Sequence, residues 1–312
     1  MTGAPQPTPW LTVGRGVAGY SQLEAENILA GYAFGSTSLG WKSIVPASAA
    51  QSLATAPRAT TRPTWSYRTY DCVLNSPYAF DVTDLLTVAA LDSGAGAVQY
   101  LAMEAILPDL NEVLAHIDLA QTFWALPKDQ LGTTPPPEGA PSWWLWRAWA
   151  LLMSRHGVGI AIAYKALHRK RPLFFPIFDN HTVDTMGGAL AWQALHDELT
   201  MQSAQFSQLE RWFAGEATKR GGAHLTRLRV HDILLWAAVA HSGSEREALA
   251  RAGQGVLDRT RAIEHCKDND QGFLAWLEAN PDGYVVNAER RPRPNYLVLH
   301  RSVCSHLRSR SP

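Results

Sequence analysis

The sequence has no net charge. Its 28 Lys and Arg balance 28 Asp and Glu, so no general cationic coat marks it as a nucleic-acid binder, although neutrality is compatible with a local patch. Cysteine is scarce: Cys72, Cys266 and Cys304 are far apart and odd in number. That excludes a disulfide framework and favours a reducing compartment. The most apolar window, residues 142–153, is too short to span a bilayer and carries Arg147. The opening MTGAPQPTPW has neither the basic start nor the apolar stretch of a secretory signal. These absences lead to the expectation of a soluble, cytoplasmic protein with no membrane partner. There is no Walker loop, Gly-x-Ser-x-Gly elbow or His-Glu-x-x-His pair. The glycines of GRGVAG (14–19) follow no convincing strand, so no dinucleotide fingerprint is read. His265, Cys266, His300, Cys304 and His306 are metal-ligand types, but without a Cys-x-x-Cys pair no metal site is assigned.

What is present is apolar and aromatic. An apolar fraction of 46% and twelve Trp, most in segments that read as helices, imply a substantial core. The 312 residues suffice for one large domain or two smaller ones. Residues 1–20, rich in Pro, Gly and Thr, are expected to be mobile. A helix is expected over 21–35, from its Ser start and early Glu24 and Glu26. Asp81 or Thr83 is placed to cap a helix over 84–91, and two short helices follow, broken near Pro108. A Pro-rich connection (131–142) precedes a Trp-rich helix over 143–155, and later segments repeat the 3–4 spacing of helices. LTRLRVHDILLWAAVAH (225–241) is apolar nearly all round from Ile233, as a buried helix is. The period then changes: 283–287 and 295–300 are short β-like runs flanking ERRPRP. The expected fold is mainly α: a helical body over 21–280, with a helix-hairpin-helix at about 143–168, and a short basic β-hairpin tail over 281–312.

One segment carries most of the chemistry: RHGVGIAIAYKALHRKRPLFFPIFDNHTVD, residues 155–184. Gly157-Val158-Gly159 permits a tight turn between two helices. The free amides at the start of the second helix and the helix dipole favour an anion there, and a DNA phosphate is a natural occupant. No acidic residue lies between Glu138 and Asp179, while Arg147, Arg155, Lys165, Arg169, Lys170 and Arg171 supply six cations. The alternative account of the last three is that a helix C-terminus favours cations.

The turn, Ala163 four residues after Gly159, Leu167 eight after it and Asp179 twenty after it, within FPIFDNHTV, resemble the helix-hairpin-helix DNA glycosylases. The similarity spans about 30 residues. It implies a hairpin that grips a DNA phosphate, often with a monovalent cation, and no other cofactor. It also implies that Asp179 opens a later helix and faces an extruded nucleotide. Two departures matter. Arg155-His156 stands where an apolar-Pro pair usually precedes the turn. Ala161 stands where lyase-active members carry a Lys, so a Schiff-base step at that position lacks its amine and an active site would be monofunctional. A second, broader similarity joins YDCVLNSPYAFDVTDLL, VGIAIAYKALHRKRPLFFPIFDNHTV and LTRLRVHDILLWAAV, over roughly 24–240, to a bacterial domain family of unknown function. It implies a defined helical domain and assigns no activity.

The candidate DNA-binding residues are therefore Gly157, Val158, Gly159, Lys165, Arg169, Lys170, Arg171 and His181, with Asp179 as the candidate catalytic group. Pro172 ends the helix and is expected to leave the basic run on a loop beside the hairpin. Against these readings, Asp179 also fits the plain role of capping a helix from Asn180, Lys165 that of a solvated lysine, and His181 that of a packing residue. Trp143, Trp144, Phe174, Phe175 and Phe178 are the aromatics near a would-be base pocket, although most fit the core. Asp232 is read as the partner of Arg229 or His231 rather than as a second catalytic carboxylate. In the tail, Arg290, Arg291, Arg293, Arg301, Arg308 and Arg310 with Tyr284 and Tyr296 form a basic, aromatic strip suited to nucleic acid or to simple solvation. The leading expectation is duplex DNA binding through the turn and the basic cluster. The alternatives are a monofunctional DNA N-glycosylase using Asp179, and a non-catalytic domain that binds a protein or a small ligand.

Overall fold

The computed structural model describes residues 8–35, 66–91, 93–261, 273–274, 277, 284–288 and 297–301. The chain divides into two compact units, Met1–Asp258 and Arg259–Pro312. It is mainly helical, with small antiparallel strand pairs. In the second unit β3 (Tyr284–Ala288) pairs with β4 (Leu297–Arg301), Tyr284 opposite Arg301, which is the hairpin expected from the change of period. His265, Cys266, Cys304, His306, Tyr296, Arg290, Arg291, Arg293, Arg308 and Arg310 lie outside the described residues.

The N-terminal segment corrects an expectation. It does not behave as a mobile leader over 8–20: β1 (Leu11–Val13) and β2 (Ala18–Tyr20) form an antiparallel hairpin whose Leu11, Val13, Ala18 and Tyr20 are buried. The glycines of GRG are its turn. Gly14, Arg15 and Gly16 all have positive φ, which glycine tolerates and Arg15 must be held into. The holding group is Glu198. Its carboxylate accepts hydrogen bonds from the Gly14 and Arg15 amides and from His231 Nε2, the last at 2.7 Å. Gln202 completes the anchoring by exchanging two 2.7 Å hydrogen bonds with the Thr12 backbone, as a neighbouring strand would. Removing the carboxylate strands two amides and a buried imidazole. Glu198→Ala is therefore expected to cost about 2–3 kcal/mol in urea unfolding and to expose Arg15 to early tryptic cleavage. Wild-type resistance at Arg15 in the variant would contradict this role.

Helix α1 (Gln22–Phe34) starts at Ser21, whose side chain accepts from the Glu24 amide. It packs across α9 (Ser203–Lys219), α10 (Arg227–Val239) and α11 (Ser244–Arg261). Tyr20 ties this bundle together by donating to the Leu234 carbonyl at 2.7 Å. A π-helical turn, Tyr67–Asp71, leads into α2 (Val82–Val88), which Asp81 caps in a reciprocal box with Asp84. Helices α3 (Ala97–Glu104) and α4 (Leu107–Ala115) break at Ile106, one residue before the helix that carries Pro108 in its first turn, where proline costs nothing. Then come α5 (Trp143–Met153), the Gly157–Gly159 turn, α6 (Ile160–Lys170), α7 (Asn180–Thr185) and α8 (Ala191–Met201). Phe174, Phe175 and Phe178 are fully buried between them, and Trp146, Trp149 and Trp192 meet edge to face. Among the described residues no helix is long and apolar enough to cross a membrane.

Candidate functional site

The basic run is not on the surface. Lys165, Arg169, Lys170 and Arg171 are all buried, Lys170 to 1% exposure, so none of the four presents a cation on the outer surface beside the turn. This corrects the expectation of a cationic loop beside the hairpin. The reason is a partner that local sequence does not reveal. Asp84, itself fully buried, takes Arg169 Nε at 3.0 Å on one oxygen and Lys170 Nζ on the other. Arg169 and Lys170 also donate to the carbonyls of Tyr70, Val73 and Ser76. Arg171 closes the end of α4, donating to the Leu114 and Ile117 carbonyls at 2.9 and 3.0 Å, where helix-end carbonyls favour a cation. His168, next in the run, donates from Nδ1 to the Phe175 carbonyl at 2.7 Å, and burial pushes its imidazole down to about 4, so it is neutral.

The turn is placed differently. Gly157 and Gly159 are exposed, while Val158 turns into the core. Gly157 has φ +77°, and a side chain there would press on Gln99 of α3. Gly159 caps α6, whose first amides have no acceptor within the helix. Arg155 and His156 flank the turn, and His156 is exposed.

One turn into α6 the surface opens into a cavity of about 1080 Å³. Ala161 and Lys165 reach it from the same face of α6, four residues apart. Asp179, Asn180 and His181 reach it from the start of α7, and Asp232, Ile233 and Trp236 from α10, against which α7 packs. Tyr32 of α1 and Arg229 complete the deep wall. The aromatics expected to line a base pocket, Trp143, Trp144, Phe174, Phe175 and Phe178, take no part. Tyr32 and Trp236 stand in their place.

Asp179 does cap α7. Oδ1 accepts from the Thr182 amide at 2.8 Å, and Thr182 Oγ1 accepts in return from the Asp179 amide at 2.8 Å. The cap uses one oxygen. Among the described residues Oδ2 makes no hydrogen bond, so capping and an open carboxylate coexist in one side chain. Lys165 donates to the Leu91 carbonyl at 2.7 Å. It is a buried, hydrogen-bonded ammonium rather than the solvated lysine of the plain reading, and it faces the cavity. His181 is exposed at the rim.

Behind the cavity is an ion network that sequence reasoning saw only in part. Arg229 forms the expected pair with Asp232, while His231 goes to Glu198. Arg229 also donates to Asp71, Nε to Oδ1 at 2.9 Å, and to the Tyr32 hydroxyl, which in turn donates to Asp71 at 2.6 Å. Burial holds the Tyr32 phenol well above its ordinary range, so it remains a hydroxyl. Arg229 also lines a second cavity of about 150 Å³, beside Asp71, and so is shared by the two. A signal for this site existed in RVHDILLW. Arg229, Asp232 and Trp236 share one helical stripe in a largely buried helix, and polar groups in such a helix are expensive unless they are used or paired. Asp71 and Tyr32 had no such signal. Among the described residues no His, Cys, Asp or Glu group is arranged to hold a metal ion.

Neither a curated protein nor a solved structure matches the chain. Residues 49–239, more than half of the sequence and including α2 to α10 with every cavity group named above except Tyr32, match one family model, and the chain belongs to that family, a family of unknown function (DUF6308).

Proposed function

We propose that this protein hydrolyses an N-glycosidic bond, taking one nucleoside of a nucleic-acid strand into the cavity while the exposed Gly157–Gly159 turn holds the strand beside it. The observation that carries the reading is the meeting of Ala161 and Asp179 in one cavity: the first turn of the helix after the glycine bend and the cap of the next helix share a floor. The resemblance to helix-hairpin-helix glycosylases concerns these same positions. A cavity of about 1080 Å³ has room for a flipped nucleoside, since ligand pockets run from roughly 300 to 1,000 Å³. Tyr32 and Trp236 offer aromatic surface to a base, and Asp179 offers an unengaged carboxylate oxygen to water or to a developing sugar cation.

Asp179→Asn is a clean test because asparagine caps a helix as well as aspartate does. Release of free base from oligonucleotides carrying a panel of altered bases is expected to fall about 100-fold or more with the fold intact. Activity that survives the change removes Asp179 from the mechanism. The backbone contact is tested at Arg155, beside the turn. Arg155→Glu is expected to weaken duplex binding and to reduce the salt slope by about one unit.

A second reading draws on the burial of Lys165 and of Arg169 to Arg171, which withdraws four cations from the outer surface. The same chemistry then acts on a free nucleoside or a similar small ligand. Base release from free nucleosides, with duplex affinity unchanged by Arg155→Glu, selects this reading.

A further inference from the structure

Asp232 is a second carboxylate in the cavity, on a different helix from Asp179. Because α7 packs on α10, the cap of one helix and the second turn of the other open on the same space. Each aspartate spends one oxygen on the protein. Asp179 gives Oδ1 to Thr182, and Asp232 gives Oδ2 to Arg229. Among the described residues the other oxygen of each makes no hydrogen bond. Their surroundings differ. Asp179 is half-buried at the start of α7. Asp232 is 6% exposed, and its one ion pair among the described residues is with Arg229, which is shared with Asp71. One guanidinium is thus shared between two carboxylates, and Lys165 is a further cation of the cavity wall, which Asp179 and Glu245 also line.

We infer that Asp232 is the proton donor of this cavity, protonating the departing nitrogen of the base while Asp179 accepts a proton from the attacking water. The inference rests on the hydrolase reading above and assigns the second half of its chemistry. The step balances. The bond from C1′ to the base nitrogen breaks, and the nitrogen keeps the electron pair and takes the Asp232 proton. Water forms the new C1′–O bond and passes its proton to Asp179, and solvent returns that proton to Asp232. Burial supports the assignment, lifting the Asp232 carboxyl to about 6, with the Asp179 charge adding to the rise and Arg229 and Lys165 opposing it. Among the described residues, the other titratable groups of the cavity and of the Arg229 network are Tyr32 from α1, Tyr70 and Asp71 from the π-helical turn, His181 from α7 and Glu245 from α11. From α8 and α9, Glu198 and Glu210 are taken up by His231 and Arg227.

The test compares leaving groups. Oligonucleotides carrying hypoxanthine or uracil need protonation of the base as it leaves, and those carrying 7-methylguanine, already cationic, do not. With the full chain, release of the neutral bases is expected to fall about tenfold per pH unit above about 6. Asp232→Asn is expected to lose about 100-fold on the neutral bases and less than about fivefold on 7-methylguanine, whereas Asp179→Asn loses on both. Equal loss by Asp232→Asn on all substrates overturns the donor and leaves the hydrolase reading standing, as does wild-type release confined to 7-methylguanine. No release by wild type from any substrate overturns both. Should Asp232→Asn fail to fold, the carboxyl carbon of Asp232 in wild type, followed by ¹³C NMR, decides. A midpoint near 6 that drops in Asp179→Asn supports the donor, and a midpoint near the ordinary value of about 4 overturns it.

Discussion

Asp84→Ala is expected to destabilise the protein by about 3–5 kcal/mol, a large share of the roughly 5–15 kcal/mol that holds a typical domain together. The carboxylate is fully buried and is the only acidic group paired with Arg169 and Lys170 among the described residues. Its removal leaves two desolvated cations facing each other, and it deletes the acceptor for the Asp81 amide in the α2 capping box. Lys170→Met is expected to cost much less, because Asp84 keeps Arg169 and the apolar stem still fills the space. Urea unfolding of the two variants checks the order, and a milder effect at Asp84 than at Lys170 would refute it. A corollary concerns charge reversal in the basic run. Lys170→Glu and Arg171→Glu place acids against Asp84 and against helix-end carbonyls, so they are expected to unfold the chain rather than to weaken DNA binding selectively. That is why the backbone contact is probed at Arg155.

The second large effect is expected at Gly253. Helices α1 and α11 cross with their backbones in contact: a Cβ on Gly253 would overlap the Asn27 carbonyl, and one on Gly31 would overlap the Leu249 carbonyl. Backbone cannot move aside as a flexible side chain can, so Gly253→Ala sits at the upper end of overpacking costs, about 3 kcal/mol. The Tm is expected to fall by roughly 5–10 °C. Gly31→Ala meets the same crossing, and the double variant is expected to lose less than the sum, since helices already forced apart accommodate the second methyl. Gly215, in α9, is the control. Nothing lies near its Cβ position, and Gly215→Ala is expected to stabilise by about 0.5–1 kcal/mol. Equal Tm for wild type and Gly253→Ala would show that the two helices do not meet as described.

What the sequence disclosed depended on how local its cause was. The Asp81 cap, the break at Pro108, the glycine turn between α5 and α6 and the strand period of the tail are set by neighbours within a few residues, and each was legible. The N-terminal hairpin was missed although Leu11 and Val13 alternate before GRG and Ala18 and Tyr20 alternate after it, the pattern of a strand pair. Its Pro and Gly content spoke for mobility, and Glu198, which holds the turn, lies 183 residues from Arg15. The basic run failed for the same reason: its counter-charge is 85 residues upstream of Arg169. At the site, Asp179 was legible as a helix cap because a helix start is a local signal. Asp232 was legible as the partner of Arg229, whereas the cavity it lines is assembled from helices far apart in sequence and has no local signal.

The anchoring of β1 and β2 has a consequence for how the chain is made. Tyr20 finds its acceptor 214 residues later, at Leu234, and α1 packs on helices that follow residue 200. At roughly 5–20 residues per second, the strand pair leaves the ribosome about 10–40 s before that acceptor is synthesised. For that interval β1 and α1, which carry the buried Leu11, Val13, Ile28 and Leu29, lack their packing partner α10. Closing such a long loop late is slow, and until α10 is made the strand pair stays open to chaperones and to aggregation.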